Sequence, residues 1–202
     1  MFATHQPRIA AYARQSADNF AEVITFVYVT VRNPLYRVPN DLRDIKKLGR
    51  NAAALWGWKL EAWEYLQEHK HELFADCERI YHDAIDDEEL RDNLLGYLAR
   101  LPGLGFAKAG FVAQLIYGVS ACLDTHNMDR FGIKANSFKA AKALNGKARE
   151  HRARYHATID KSGGTAGLWD SWCQYVADNQ PDRYASAWEV SALHCTALGL
   201  SA

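Results

Sequence analysis

Residues 101–110 read Leu-Pro-Gly-Leu-Gly-Phe-Ala-Lys-Ala-Gly and lie between two segments of helical periodicity. Glycines at 103 and 105 permit a tight turn with positive φ and leave no side chain to obstruct a close ligand. The amides of such a turn, with the first-turn amides of the helix that follows, form an anion site suited to a phosphate and need no net positive charge. A plain corner between two helices, with glycines kept for packing, is the alternative. Residues 118–132 then read Gly-Val-Ser-Ala-Cys-Leu-Asp-Thr-His-Asn-Met-Asp-Arg-Phe-Gly. A short apolar run delivers Asp124 to the start of a further helix, with Asp124 or Thr125 as N-cap. A carboxylate there can stabilise a developing cation or accept a proton. Alternatively, it caps the helix and does nothing else.

The elements that must position these residues are helices. Proline and glycine are sparse, and apolar residues recur at three and four through most of the chain, which predicts an all-α protein. Helices are expected over about 7–32, 41–50, 51–69, 71–84, 87–100, 106–118, 137–158, 165–179 and 184–199. The run from Val23 to Val31 is β-branched enough for a strand, but with no second strand to pair it, it is assigned to a buried helix. Asn33-Pro34 and Val38-Pro39 break the chain after it. Trp169 and Trp172, three apart on one helix face, read as core rather than as a base-stacking platform. Tyr36, Phe106 and Phe111 are candidates to stack on a base or wedge a duplex. Glu189, Ser191 and His194 on an apolar helix read as satisfied interior polar groups.

The chain has 202 residues, 49% hydrophobic and 24% charged, which fits one or two small helical lobes and excludes a disordered tail. Net charge is zero, so any contact with DNA or an anionic membrane must be local. From Lys59 to Asp92 there are 12 acidic and 4 basic residues, read as a solvated face. From Lys134 to Lys161 there are 8 basic and 2 acidic. That block (Lys134, Lys139, Lys142, Lys147, Arg149, Arg152, Arg154, Lys161) is either solvated helix or a cationic surface. No apolar stretch approaches the ~20 residues a bilayer requires, and the polar Thr4, His5 and Gln6 argue against a secretory leader. A soluble, cytoplasmic chain is expected, with no membrane partner. Cys77, Cys122, Cys173 and Cys195 are far apart and read as reduced, buried thiols. His69 and His71 point away from each other on a helix, and no metal site is expected.

Leu101-Pro102-Gly103-Leu104-Gly105, Ala109, Gly118 and Leu123-Asp124-Thr125-His126, in this order and spacing, resemble the helix-hairpin-helix DNA glycosylase superfamily over about 35 residues. The resemblance implies one two-lobed all-α unit over 1–202, with the hairpin in 95–118 and the catalytic segment in 118–132. It implies that Gly103, Leu104, Gly105 and Lys108 hold a DNA phosphate, and that Asp124 meets a flipped base. The lysine of strand-cleaving members would fall at Ala107. Lys108 is one position later, about 100° around a helix, so Schiff-base cleavage is not expected. The cysteines of iron–sulfur members are absent, so no cofactor is expected.

His126 and Asn127 form a polar pair where excision enzymes carry an apolar residue. This pair, with Gly105-Phe106-Ala107-Lys108 and Leu168-Trp169-Asp170-Ser171-Trp172-Cys173, looks like a bacteriophage branch associated with thymine hypermodification. In that branch an amine displaces the (pyro)phosphate of a 5-phosphomethyluracil in DNA, which would place the chain in a host cytoplasm. The resemblance then implies DNA and a small amine or amino-acid donor as partners. Lys108, His126, Arg130 and the basic block would offset charge on the departing phosphate. Asp124 would take the proton of the incoming amine, and Asn127 and Gln114 would read the pyrimidine edge. A monofunctional N-glycosylase and a non-catalytic DNA-binding module are the alternatives. Oligomeric state is left open.

Overall fold

Side-chain caps set several of the helix starts. Ser16 accepts from Asn19 N–H at 3.2 Å, Asp86 from Glu89 N–H at 2.8 Å and Ser186 from Glu189 N–H at 3.3 Å. Glu89 and Glu189 each return a bond, from Ile85 N–H at 3.0 Å and Ala185 N–H at 2.7 Å, in arrangements of the capping-box kind. The computed structural model describes residues 1–134 and 146–201. In chain order the helices are α1 (Phe2–Ala13), α2 (Ala17–Thr30), α3 (Val38–Leu48), α4 (Trp58–Asp83), α5 (Asp87–Leu98) and α6 (Phe106–Tyr117). They continue with α7 (Thr125–Arg130), α8 (Gly146–Lys161), α9 (Gly164–Asn179) and α10 (Ala187–Ala197). The described residues contain no strand, and the protein is all-α.

Three of the differences from the expected helix boundaries change how the chain divides. The helix expected over 7–32 is two, α1 and α2, because Ser16 caps a new start. The helices expected over 51–69 and 71–84 are one, α4, which begins only after Gly57 with φ +52°. The helix expected over 137–158 falls partly on residues 137–145, which lie outside the described residues, and α8 runs on to Lys161. None of the other differences bears on the site.

α2 is the central element. From Phe20 to Val29 only Glu22 escapes full burial, as a helix apolar on every face must be placed. Its interior hydroxyl is satisfied locally, Thr25 Oγ1 donating to Ala21 O at 2.8 Å. The β-branched run is therefore helical, as the absence of a pairing strand requires. Its C-terminal end is closed by Lys59 from the first turn of α4. This ammonium is buried, donates to Val31 O at 2.7 Å and lies 5.3 Å from the Trp56 ring centroid. Burial lowers its pKa. Its donated hydrogen meets the negative end of a helix dipole.

α2 packs on α1, α3, α4 and α6; α5 lies between α4, α6 and α8; α9 and α10 pair and return to α1. Buried apolar residues from Ile9 to Leu198 form one connected core. Within it, α5 and α6 are joined by the turn at residues 99–105. Tyr28 Oη of α2 donates to Pro102 O at 2.9 Å. The Trp58 ring covers Gly103, where φ is +76° and a Cβ would come within 2.5 Å of the indole. Gly103 thus serves the turn and Trp58, whereas Gly105 has open space above it.

Candidate active site

The segment between α6 and α7 is held by backbone geometry and by one distant phenol. α6 ends at Gly118 in the left-handed region (φ +71°), and Ser120 is also left-handed at φ +62°, a conformation that costs a non-glycine residue about 1 kcal/mol. Ala121 then passes directly over Gly110 of α6, where no side chain intervenes. Tyr155 of α8 secures the crossing. Its hydroxyl donates to Ala121 O at 2.7 Å and accepts from Leu123 N–H at 3.0 Å. Tyr155 fixes the backbone on which Asp124 is carried, a role that no local sequence signal marks.

Asp124 caps α7 as expected, Oδ1 accepting from Asn127 N–H at 3.0 Å. The capping function does not exhaust it. Asp124 is half-buried and lines a cavity of about 330 Å³, within the range of about 300–1,000 Å³ that holds small ligands. Lys108, Gln114, His126 and Asn127 line the same cavity. The expected rotation of Lys108 away from position 107 does not remove it: Lys108 is on the wall, with its ammonium 5.8 Å from the Phe111 ring centroid. Lys108 and Asp124 both act on the Cys122 thiol, which also lines the cavity and which burial pushes up to about 12. Cys122 therefore stays protonated near neutral pH and is no thiolate nucleophile.

Much of the amide chemistry expected of the site is already committed. Asn127 donates from Nδ2 to Cys122 O at 2.7 Å and accepts from Arg130 Nη1 at 3.4 Å. Gln114 donates from Nε2 to Thr165 O at 2.8 Å. Each keeps a second amide hydrogen. Arg130 does not line the cavity. Its guanidinium bonds Ser171 Oγ and lies 5.2 Å from the ring centroid of Tyr175, which does line it. Gly103, Leu104 and Gly105 are also outside the cavity, at the start of α6. Gly105 supplies no side chain as N-cap, so the amides of that first turn have no side-chain cap.

The remaining wall is aromatic. Phe111, Trp169, Trp172 and Tyr175 line it together with His194. Trp169 is indeed core, as expected, but the same indole and that of Trp172 also face the cavity. Trp169 Nε1 donates to Ser191 Oγ at 2.8 Å, and that hydroxyl meets His5 Nδ1 at 2.7 Å, which ties α9 and α10 to α1. Ser191 is the satisfied interior group that was expected. His194 is not merely that. Phe106 packs on Tyr155 at 5.7 Å, and Tyr36 lies 3.9 Å from the Arg183 guanidinium; neither lines the cavity.

The described basic residues of the 134–161 block lie elsewhere. Arg152 makes a two-point bond to Asp92 of α5 at 2.8 and 3.0 Å. With Arg149 it lines a separate polar hollow of about 670 Å³ beside Arg91, Asp92 and Asp160. Lys139 and Lys142 lie outside the described residues. Among the described residues no three His, Cys, Asp or Glu side chains are grouped to hold a metal, and no helix is long and apolar enough to cross a membrane. No cysteine among the described residues is disulfide-bonded.

Two buried imidazoles make stability sensitive to acid. His156, near Ser120 Oγ at 3.4 Å, and His194 are each lowered to about 4, chiefly by desolvation. Because the unfolded chain binds these protons at about 6.5, stability is full above that pH and falls progressively toward pH 4. The loss should be on the order of 3 kcal/mol for each group across the window. Denaturant titrations at pH 7 and pH 5 check it; equal midpoints would contradict neutral burial of both rings.

No protein-family model matches the chain, and neither a curated protein nor a solved structure does. Function is therefore read from the cavity itself.

Proposed function

We propose that this protein processes a 5-modified pyrimidine extruded from DNA, using a helix-hairpin-helix, glycosylase-like arrangement. One observation carries the reading. Asp124, at the start of α7, and Lys108, in the first turn after the glycine corner, line one aromatic-walled cavity. A flat apolar ring stacks between aromatic walls, a carboxylate moves a proton or offsets positive charge, and an ammonium offsets negative charge on a leaving group. The turn before α6, with its uncapped amides and Gly105 open to solvent, takes an adjoining phosphate.

The reaction best suited to this set is transfer. The nitrogen of an amine donor attacks the methylene carbon on C5 of a 5-(pyro)phosphomethyluracil, and the carbon–oxygen bond to the phosphate breaks. Asp124 removes the proton that the new ammonium sheds. Lys108 and His126 stand beside the departing phosphate. Hydrolytic excision is a second reading, favoured by one specific observation: Arg130 and the described cations of the 134–161 block do not line the cavity, and excision needs little cationic machinery.

The test is direct. Duplexes carrying uracil, 5-hydroxymethyluracil or its phosphorylated form are incubated with and without a simple amine and digested to nucleosides. A heavier intact nucleoside, formed only from the phosphorylated duplex with amine, is the expected product. Abasic sites establish excision instead. If all three duplexes come through unchanged, both enzymatic readings fail, and a DNA-binding module remains.

A further inference from the structure

His194 is 1% exposed, yet it lines the cavity. Its ring is wedged among aromatic rings, 4.5 Å from Trp169, 5.7 Å from Trp172 and 6.1 Å from Phe111 between centroids. Nδ1 lies 3.0 Å from Val190 O and 3.2 Å from Ser191 O. Carbonyl oxygens only accept, so Nδ1 must carry a hydrogen and donate it. In a neutral imidazole this leaves Nε2 as an acceptor with no proton of its own. The hydrogen bonds this ring makes among the described residues all use Nδ1, and Nε2 is not one of the fully enclosed polar atoms without a partner, so it is open to the cavity that the ring lines. An acceptor that faces an otherwise aromatic wall favours a cavity occupant that can donate to it.

We infer that His194 Nε2 is a tautomer-locked acceptor that reads the N3 hydrogen of the uracil-type base proposed above, and so is the residue that sets the site against cytosine-type pyrimidines. The inference rests on the function proposed above and names the residue that discriminates the base. Uracil and its 5-substituted forms present acceptor, donor, acceptor along O2, N3 and O4. Cytosine presents a bare N3 lone pair in the middle position. The other polar groups on the cavity wall suit the uracil pattern. Lys108 only donates, and Gln114 and Asn127 each have one uncommitted amide hydrogen for O2 or O4. The ring cannot adapt by shifting its proton, because two backbone carbonyls hold it on Nδ1. Nor does it readily protonate to become a donor, since desolvation holds its pKa near 4.

The test is equilibrium binding of the full chain to duplexes with one 5-hydroxymethyluracil, 5-hydroxymethylcytosine or N3-methyl-5-hydroxymethyluracil. Each is placed opposite an abasic position so that no base pair has to be broken. The wild type should bind the first about tenfold more tightly than the other two, and His194→Phe, which keeps the ring packing, should level the three. Equal binding of all three by the wild type, a preference for the cytosine form, or discrimination that survives His194→Phe overturns the inference and leaves the proposed function standing. If the variant does not fold, the N3-methyl comparison on the wild type decides alone. If no modified duplex binds better than one lacking the base altogether, the proposed function falls, and this inference falls with it.

Discussion

Gly110→Ala should destabilise the protein by on the order of 4 kcal/mol, near the upper end of what single substitutions do. An added methyl group would overlap the Ala121 carbonyl oxygen and come within 2.9 Å of Tyr155 Oη. Neither neighbour can yield cheaply. Ala121 O is main chain on a segment already in left-handed conformations, and Tyr155 is buried with its hydroxyl bonded on both sides of that segment. Relief requires α6 and residues 119–124 to separate, which breaks the Tyr155 bonds and displaces Asp124. Glycine's usual handicap inside a helix, about 1 kcal/mol relative to alanine, is therefore reversed here. A denaturant midpoint equal to or above that of the wild type would contradict the close crossing. Gly105→Ala, with open space around it, is the control and should change stability by less than about 1 kcal/mol.

Asp124→Asn should abolish turnover while leaving the fold intact. Asparagine caps helices as well as aspartate does, and its side-chain oxygen can still accept from Asn127 N–H. The substitution removes the charge and the proton-accepting capacity and little else. A group acting as general base or electrostatic stabiliser contributes about 10²–10⁴ in rate, so a fall of at least about 100-fold is expected in product formed per unit time. Thermal melting of the variant should match the wild type closely. A variant that melts normally and turns over normally would show that Asp124 is a cap alone, and both enzymatic readings would lose their carboxylate.

The parts of this structure that the sequence made legible are local ones. Asp124 as an N-cap, the turn around Gly103 and Gly105, and the helical state of Val23–Val31 each depend on residues within a few positions or on the absence of a pairing strand. The errors have the same origin. The break expected between 69 and 71 does not occur: no proline or glycine lies between Trp58 and Asp83, and α4 runs through. The spacing of Trp169 and Trp172 points to the core. Spacing reports a shared face, but not whether that face is fully covered or forms the wall of a hollow. Tyr155 and Lys59 could not be found this way, since a phenol reaching back 32 residues or an ammonium reaching 28 is set by tertiary packing. His194 was read as a satisfied interior group because its one visible signal was an apolar neighbourhood. That its ring also lines the cavity becomes evident only when α9 and α10 are seen beside α6.

The Ser191 hydroxyl, shared between His5 and Trp169, has a bearing on how the molecule is made. It joins residues separated by 186 positions, so one side of the hollow is completed only by a contact between nearly opposite ends of the chain. Contacts of such sequence separation form late, after the loops they close have lost their freedom. On the ribosome, the helices from α1 to α6 can associate early, but the aromatic half of the hollow must wait for α10 to emerge. Nascent chains arrested before α10 should therefore carry Asp124 on a more open surface, and ligand capture should begin only once α10 is in place.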